Sequence, residues 1–558
     1  MHTITINLYR AFRVPRYFPS LPSSCLSWQA FEEPPSNKSQ SINSRSLEYS
    51  CHCHDQIFTI RTTSSPTQML DRGDGLLEKG LLENEYWETI QPDSPLPSPT
   101  RKSWGTDIIR PLWKKRADSP ARPLRRTAYL DGLRGFAAFL VYWHHHQLWA
   151  HEYSPGGRYL EDGFGFEDKH YFACLHGVRT FFTGGHFAVT VFFVISGHVL
   201  SAKPMSLIHA RDFTKLGDNL ASSFFRRWLR LYIPVICTTF LFMTSLHAFG
   251  LWTANVDQQS TYGAEVWKWY SEFKNFSYVF KEGGVPWFTY NFHVWSIPVE
   301  FKGSMIIYAS LLAFSRCTRN ARLWCQVGLI IYLMYIADAA HYAMFVGGML
   351  LCDLDLLATG KDQILPRAIS KMESFKELIF YQLFILSIYL GSVPSGTSSV
   401  QDLRSTPGWY YLSFLKPQAV YDYKWFFLFW AALFLVASVP RIPWLKAFFE
   451  TSFNQYLGRI SFAFYLVHGP VLWILGDRFY AATGWARESH ASGIPGWVDQ
   501  FPLSKAGPLG LEWSFLVSHL TLLPVTFGLA ELATRLFDGP SVKIANWLYG
   551  KTLAGSAR

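Results

Sequence analysis

A chain of 558 residues could hold several soluble domains, but its composition argues otherwise: apolar residues make up 49%, aromatics 17% and charged residues only 16%, against roughly 25% charged in ordinary soluble domains. The 22 Trp, 28 Tyr and 46 Phe suit a protein with much membrane interface, where amphipathic rings settle at headgroup level. The net charge of +10 lies in an N-terminal cluster and between apolar stretches rather than on one face, which excludes a nucleic-acid surface.

Residues 1 to about 120 are rich in Ser, Pro and charge and show no sustained apolar period, the signature of a disordered polar region. The first 31 residues carry three Arg and no acid, a faint likeness to a transit peptide that arises often by chance. Within this region Cys51-His52-Cys53-His54 has metal-ligand residue types. Adjacent residues cannot easily all reach one tetrahedral ion, so the run reads as solvated tail and no metal is expected. The other Cys fall beside apolar runs and imply no disulfide framework.

After the basic cluster Lys114, Lys115, Arg116, Arg122, Arg125 and Arg126 the character changes. Ten apolar segments follow, at about 133–149, 187–202, 228–250, 296–315, 323–338, 342–352, 377–393, 425–439, 453–476 and 513–534. Several approach the ~20 residues a spanning helix needs, and lipid leaves no other partner for their backbone groups. The expected fold is all-α: a polytopic membrane bundle of about ten transmembrane helices over 121–540, with a tail at 541–558. With a cytosolic N-terminus, the inside loops carry 18 Lys and Arg in 93 residues and the long outside loops 12 in 150. That twofold bias obeys the positive-inside rule and puts both termini in the cytosol. Lacking a cleavable signal, the chain is expected in the endoplasmic reticulum or another endomembrane.

Ionisable groups inside these helices are costly and mark function or pairing. The first helix reads Asp131-Gly132-Leu133-Arg134-Gly135, then an apolar run, then His144-His145-His146. Arg134 and His145 are eleven residues apart, so both point to one side, ~16 Å apart along the axis. A guanidinium suits phosphate, and an imidazole can take a proton from an attacking alcohol; equally, the Arg could snorkel and the His be a satisfied buried one. Arg226, Arg227 and Arg230 form a basic collar on the third helix, which positive-inside charge also explains. Ser196-Gly197 permits close helix packing. Glu300 falls just inside the outer boundary of the fourth helix. Ser461, Tyr465 and His468 recur at i, i+4 and i+7, giving the ninth a polar face. Phosphate-loop, zinc-protease and nucleophile-elbow motifs are absent.

The run Tyr129 through His145 resembles the first-helix signature of the acyltransferase 3 family of integral membrane acyltransferases. Phe192 to Gly197, the pair Arg227 and Arg230, Trp295-Ser296 through Glu300, and Ile460 through His468 are similar to further family elements, in family order. His198, Phe301 and Gly469 depart from it, Gly469 standing where Trp is frequent, and the wording around Glu300 looks like fungal members. The resemblance implies acyl transfer, often of acetyl, from acyl-CoA as co-substrate to a hydroxyl of a small-molecule, lipid or glycan acceptor. No permanently bound cofactor or partner protein is expected, and secondary metabolism is one setting. His145, Glu300 and His468 would be the catalytic candidates, and Arg134, Arg227 and Arg230 the donor-binding ones. The alternatives are a transporter or channel built on buried Arg, His and Glu, with Pro234, Pro298 and Pro524 as helix breaks, or an inactive scaffold.

Overall fold

The computed structural model describes residues 124–151, 155–164, 170–280, 286–359 and 373–553. The N-terminal region, including the run at Cys51 to His54, lies outside them. The fold is all-helical, with no strand among the described residues. The principal helices are α1 (Ala128–His151), α2 (Gly185–His209), α3 (Phe213–Phe249), α4 (Tyr262–Phe276), α5 (Ser296–Phe314), α6 (Arg319–Tyr335), α7 (Ala340–Thr359), α8 (Lys376–Gly391), α9 (Tyr423–Ser438), α10 (Ser452–Val471), α11 (Trp513–Ala533) and α12 (Gly539–Thr552).

Each of the ten apolar segments lies on a helix, but among the described residues only seven helices are long and apolar enough to cross a membrane. The other three fail for different reasons. α6 and α8 are short, at 17 and 16 residues. α1 has 24 residues, but its charged first turns and its histidines lower its hydropathy. The tail beginning at residue 541 starts within α12, which packs on α3. Pro234 and Pro524 sit inside continuous helices, and Pro298 lies in the first turn of α5, where a missing backbone donor costs least.

At the centre is α2, which packs on α1, α5, α7 and α9. A Cβ on Gly197 would lie 1.9 Å from the Phe345 carbonyl oxygen, and one on Gly348 2.0 Å from that of Val194. Backbone meets backbone where α2 crosses α7, the close approach that small residues allow. On the other side of α1 lies α10, where a Cβ on Gly135 would come within 2.3 Å of the Gly458 nitrogen. α11 then packs on α10.

α3 has 37 residues, about 55 Å at 1.5 Å per residue, well beyond a ~30 Å hydrocarbon core. Asp212 caps its start by accepting from the Lys215 backbone nitrogen at 3.1 Å, and left-handed Gly250 (φ 59°) ends it. Arg226, Arg227 and Arg230 fall midway along this rod.

Buried charge ties α2, α6 and α7 together at one end. Asp353, fully buried, takes two bonds from Arg322 (2.7 and 2.9 Å), one from Gln326 (2.9 Å) and a contact with His209 (2.8 Å). Two residues on, Asp355 holds His198 at 3.2 Å and Arg441 at 2.5 Å. His198, out of place in the family pattern, thus has a carboxylate partner. Removing one member of a buried pair strands the other and costs about 3–5 kcal/mol. Asp353→Ala should therefore lower the thermal unfolding midpoint of the detergent-solubilised protein by several degrees, measured with a thiol-reactive dye or by tryptophan emission.

Candidate active site

α1 and α10 create the site because they run side by side with their glycines in contact. Arg134, seven residues into α1, donates from Nε to Ser461 Oγ and from Nη2 to the Gly458 carbonyl, both at 3.1 Å. Its other nearby partner is Asp131, at 3.3 Å. Eleven residues on, the His145 ring stacks on His468 with centroids 5.3 Å apart. Arg134 and His145 therefore engage the same face of α10, through Ser461 and His468, which are seven residues apart. Tyr465, between them on that face, donates to the His293 carbonyl and is hydrogen-bonded to Ser296 Oγ at 2.7 Å. The polar stripe Ser461, Tyr465, His468 is thus the seam that joins α10 to α1 and to the start of α5.

His293 is the member that the sequence left unmarked. Residues 286–295 read as the end of an outside loop, yet Phe288, Tyr290, Asn291, His293 and Val294 are all buried. The segment turns into the bundle because its ends are anchored. Asn291 Nδ2 donates to the Leu466 carbonyl on α10 at 2.9 Å, Tyr290 donates to Glu265 at 2.5 Å, and the Thr289 amide donates to Glu272 at 2.8 Å. Both carboxylates come from α4, and burial pushes Glu272 above the usual carboxylate range. The His293 ring ends 4.2 Å from that of His145 and 5.0 Å from that of His468. The three imidazoles bring ligand-capable nitrogens within 4.8 Å of one another.

The three differ in accessibility. His293 and His468 are 2% and 1% exposed, while His145 keeps accessible surface and makes no hydrogen bond among the described residues. His468 donates from Nδ1 to the Tyr465 carbonyl at 2.7 Å; a carbonyl can only accept, so Nε2 carries the lone pair. Gly469 follows His468 where the family often has Trp. A Cβ there would lie 2.4 Å from His293 Nδ1, so the glycine leaves the room that His293 fills.

The arginines of the collar have separate fates. Arg226 donates to Asn546 on α12 at 2.7 Å. Arg227 forms an ion pair with Glu300 and donates to Ser304 Oγ at 2.7 Å, nearly out of solvent. Glu300, on the first turns of α5, is thus paired with Arg227 on α3. Arg230 alone of these three makes no hydrogen bond among the described residues, and it remains exposed. The ionisable groups acting on it are Asp538, Arg227, Arg134 and Tyr308. The three arginines picked out from the sequence thus share one electrostatic neighbourhood. Asp538, just beyond α11, joins them without any sequence signal.

Residues 127–527 match the family described as acyltransferase domain. The chain is 29% identical over 501 residues to "O-acetyltransferase PaAT-1" of Phomopsis amygdali, covering 82% of this chain and 90% of that protein. It is 23% identical over 407 residues to "Acyltransferase clz18" of Cochliobolus lunatus, covering 65% and 80%, and 24% over 439 residues to "Acyltransferase R4" of a Phoma species, covering 68% and 88%. No solved structure matches significantly. The match runs from the start of α1 into α11, and a transporter reading has no comparable support. The chain is an integral membrane protein and belongs to the acyltransferase 3 family.

Proposed function

We propose that this protein transfers an acetyl group from acetyl-CoA to a hydroxyl on a small-molecule acceptor, in secondary metabolism. The observation that carries this reading is the shared seam: Arg134 and His145 meet one face of α10, ~16 Å apart by helix rise. Donor phosphates bound at the arginine end would let an extended pantetheine arm run along that seam toward the imidazole. The name of the Phomopsis amygdali relative supports acetyl and oxygen as donor group and acceptor atom.

Arg230 is the primary phosphate ligand in this account. Arg134 and Arg227 already spend donors on Ser461, Gly458, Glu300 and Ser304, whereas the Arg230 fork is unspent. Arg134 and Arg227 add positive potential beside it, and Asp538 offsets part of that charge until the phosphates arrive. At the other end, the acceptor hydroxyl meets His145, which has accessible nitrogens. The imidazole takes the hydroxyl proton as the oxygen attacks the thioester carbonyl, the C–S bond breaks, and the proton passes to the thiolate. His468 fixes the ring of His145 by stacking, and Glu300 holds Arg227. The basic loops support an orientation with the arginine end toward the cytosol and both termini on that side.

Loss of a positioned base costs ~10²–10⁴-fold in rate. His145→Ala should therefore lower kcat for acetyl transfer by that factor while eluting as the same monodisperse species in detergent; an undiminished kcat would remove His145 from the reaction. A hydrogen bond to a charged group contributes about 1.5–3 kcal/mol, so Arg230→Ala should raise KM for acetyl-CoA by about 10–100-fold with a smaller change in kcat. An unchanged KM would place the phosphates elsewhere. Glu300→Gln should leave the acceptor KM unchanged and lower the thermal midpoint, because its partner is Arg227.

A further inference from the structure

The three histidines at the seam have a chemistry beyond that of one accessible base. Among the described residues, His293 Nδ1 and His468 Nε2 are buried and have no hydrogen-bond partner. A buried polar atom without a partner costs about 1–3 kcal/mol, and here both such atoms belong to rings that pack against His145. We propose that His145, His293 and His468 bind a divalent transition-metal cation, zinc by ligand type, with a fourth position open on the His145 side.

Three further observations fit that donor set. The ligand atoms already lie within 4.8 Å of one another; tetrahedral coordination at ~2.1 Å brings nitrogens to about 3.4 Å, a closure within reach of side-chain rotation. Metal-bound histidines usually donate their second nitrogen to a carbonyl or carboxylate, which fixes the tautomer. His468 does this, Nδ1 to the Tyr465 carbonyl at 2.7 Å, leaving Nε2 for the metal. The Tyr465 hydroxyl also donates to the His293 carbonyl, so one residue braces two of the ligands, through its backbone and its side chain. Gly469 leaves His293 Nδ1 its space. Three protein ligands and one open position is the arrangement of catalytic rather than structural zinc.

The proposal rests on the reading of this cluster as the place where the hydroxyl is activated, and it changes the agent. With His145, His293 and His468 as its ligands, the cation would lower the pKa of the acceptor hydroxyl and so take over the role assigned above to His145 as base. The O–H bond breaks, the ester C–O bond forms, the thioester C–S bond breaks, and the proton ends on the thiol sulfur.

The test uses the full chain, purified in detergent on a tag without histidines. Metal analysis by plasma mass spectrometry should find about one zinc per chain. The content should fall at least tenfold in His293→Ala and stay unchanged in Asp212→Ala, on the exposed cap of α3. Because His293→Ala could fail to fold, Gly469→Ala provides a second variant that keeps all three ligands and crowds one of them; it should weaken zinc binding at least tenfold. Dialysis against a chelator should abolish acetyl transfer, and ZnCl2 alone should restore it and raise the thermal midpoint. An active preparation holding less than a tenth of a metal per chain, or one unaffected by chelator, overturns the metal site and leaves acetyl transfer standing. Stoichiometric zinc lost in both variants, without acetyl transfer to any hydroxyl, upholds the metal site and overturns the functional reading.

Discussion

The rest of the site depends on the contact between α1 and α10. Gly135 and Gly458 let the two backbones touch, and this fixes which side of α1 faces α10. Arg134 and His145 then meet Ser461 and His468 on one face. A bulkier residue at either glycine would push the helices apart and turn this polar seam into two separate surfaces. Inside a membrane the seam is also the cheapest place for such groups, since it sets them against one another rather than against lipid.

Around that seam, charge is distributed by role. Asp353 and Asp355 lock α2, α6 and α7 through Arg322, Arg441 and two histidines, a brace away from the reacting groups. Glu300 and Arg227 satisfy each other between α3 and α5. Arg230 and His145 are left with donors and acceptors unspent. An enzyme needs such groups, and a rigid set of paired neighbours keeps them from finding partners of their own.

Much of this was legible in the sequence. Helical periodicity alone put Arg134 and His145 on one side of the first helix, and the i, i+4, i+7 spacing marked Ser461, Tyr465 and His468 as a face. Both follow from 3.6 residues per turn, which lipid enforces. The path of residues 286–295 was not legible. Hydropathy counts apolar residues but does not say whether a loop rich in Phe, Tyr and Trp lies over the bundle or enters it. That one segment hid His293. Seven of the ten expected spans are long and apolar enough to cross among the described residues; of the rest, α6 and α8 are apolar but short, and α1 is long but polar. Asp538 escaped notice because only the third dimension brings it to Arg230.

The central claim is that donor phosphates and reacting carbonyl occupy opposite ends of the α1–α10 seam. An electron cryomicroscopy structure of the protein with a non-transferring thioether analogue of acetyl-CoA tests it directly. The account predicts phosphate oxygens within hydrogen-bond distance of Arg230 and the analogue's carbonyl beside His145. A carbonyl resting on the far side of α1, or phosphates bound away from the three arginines, would contradict it.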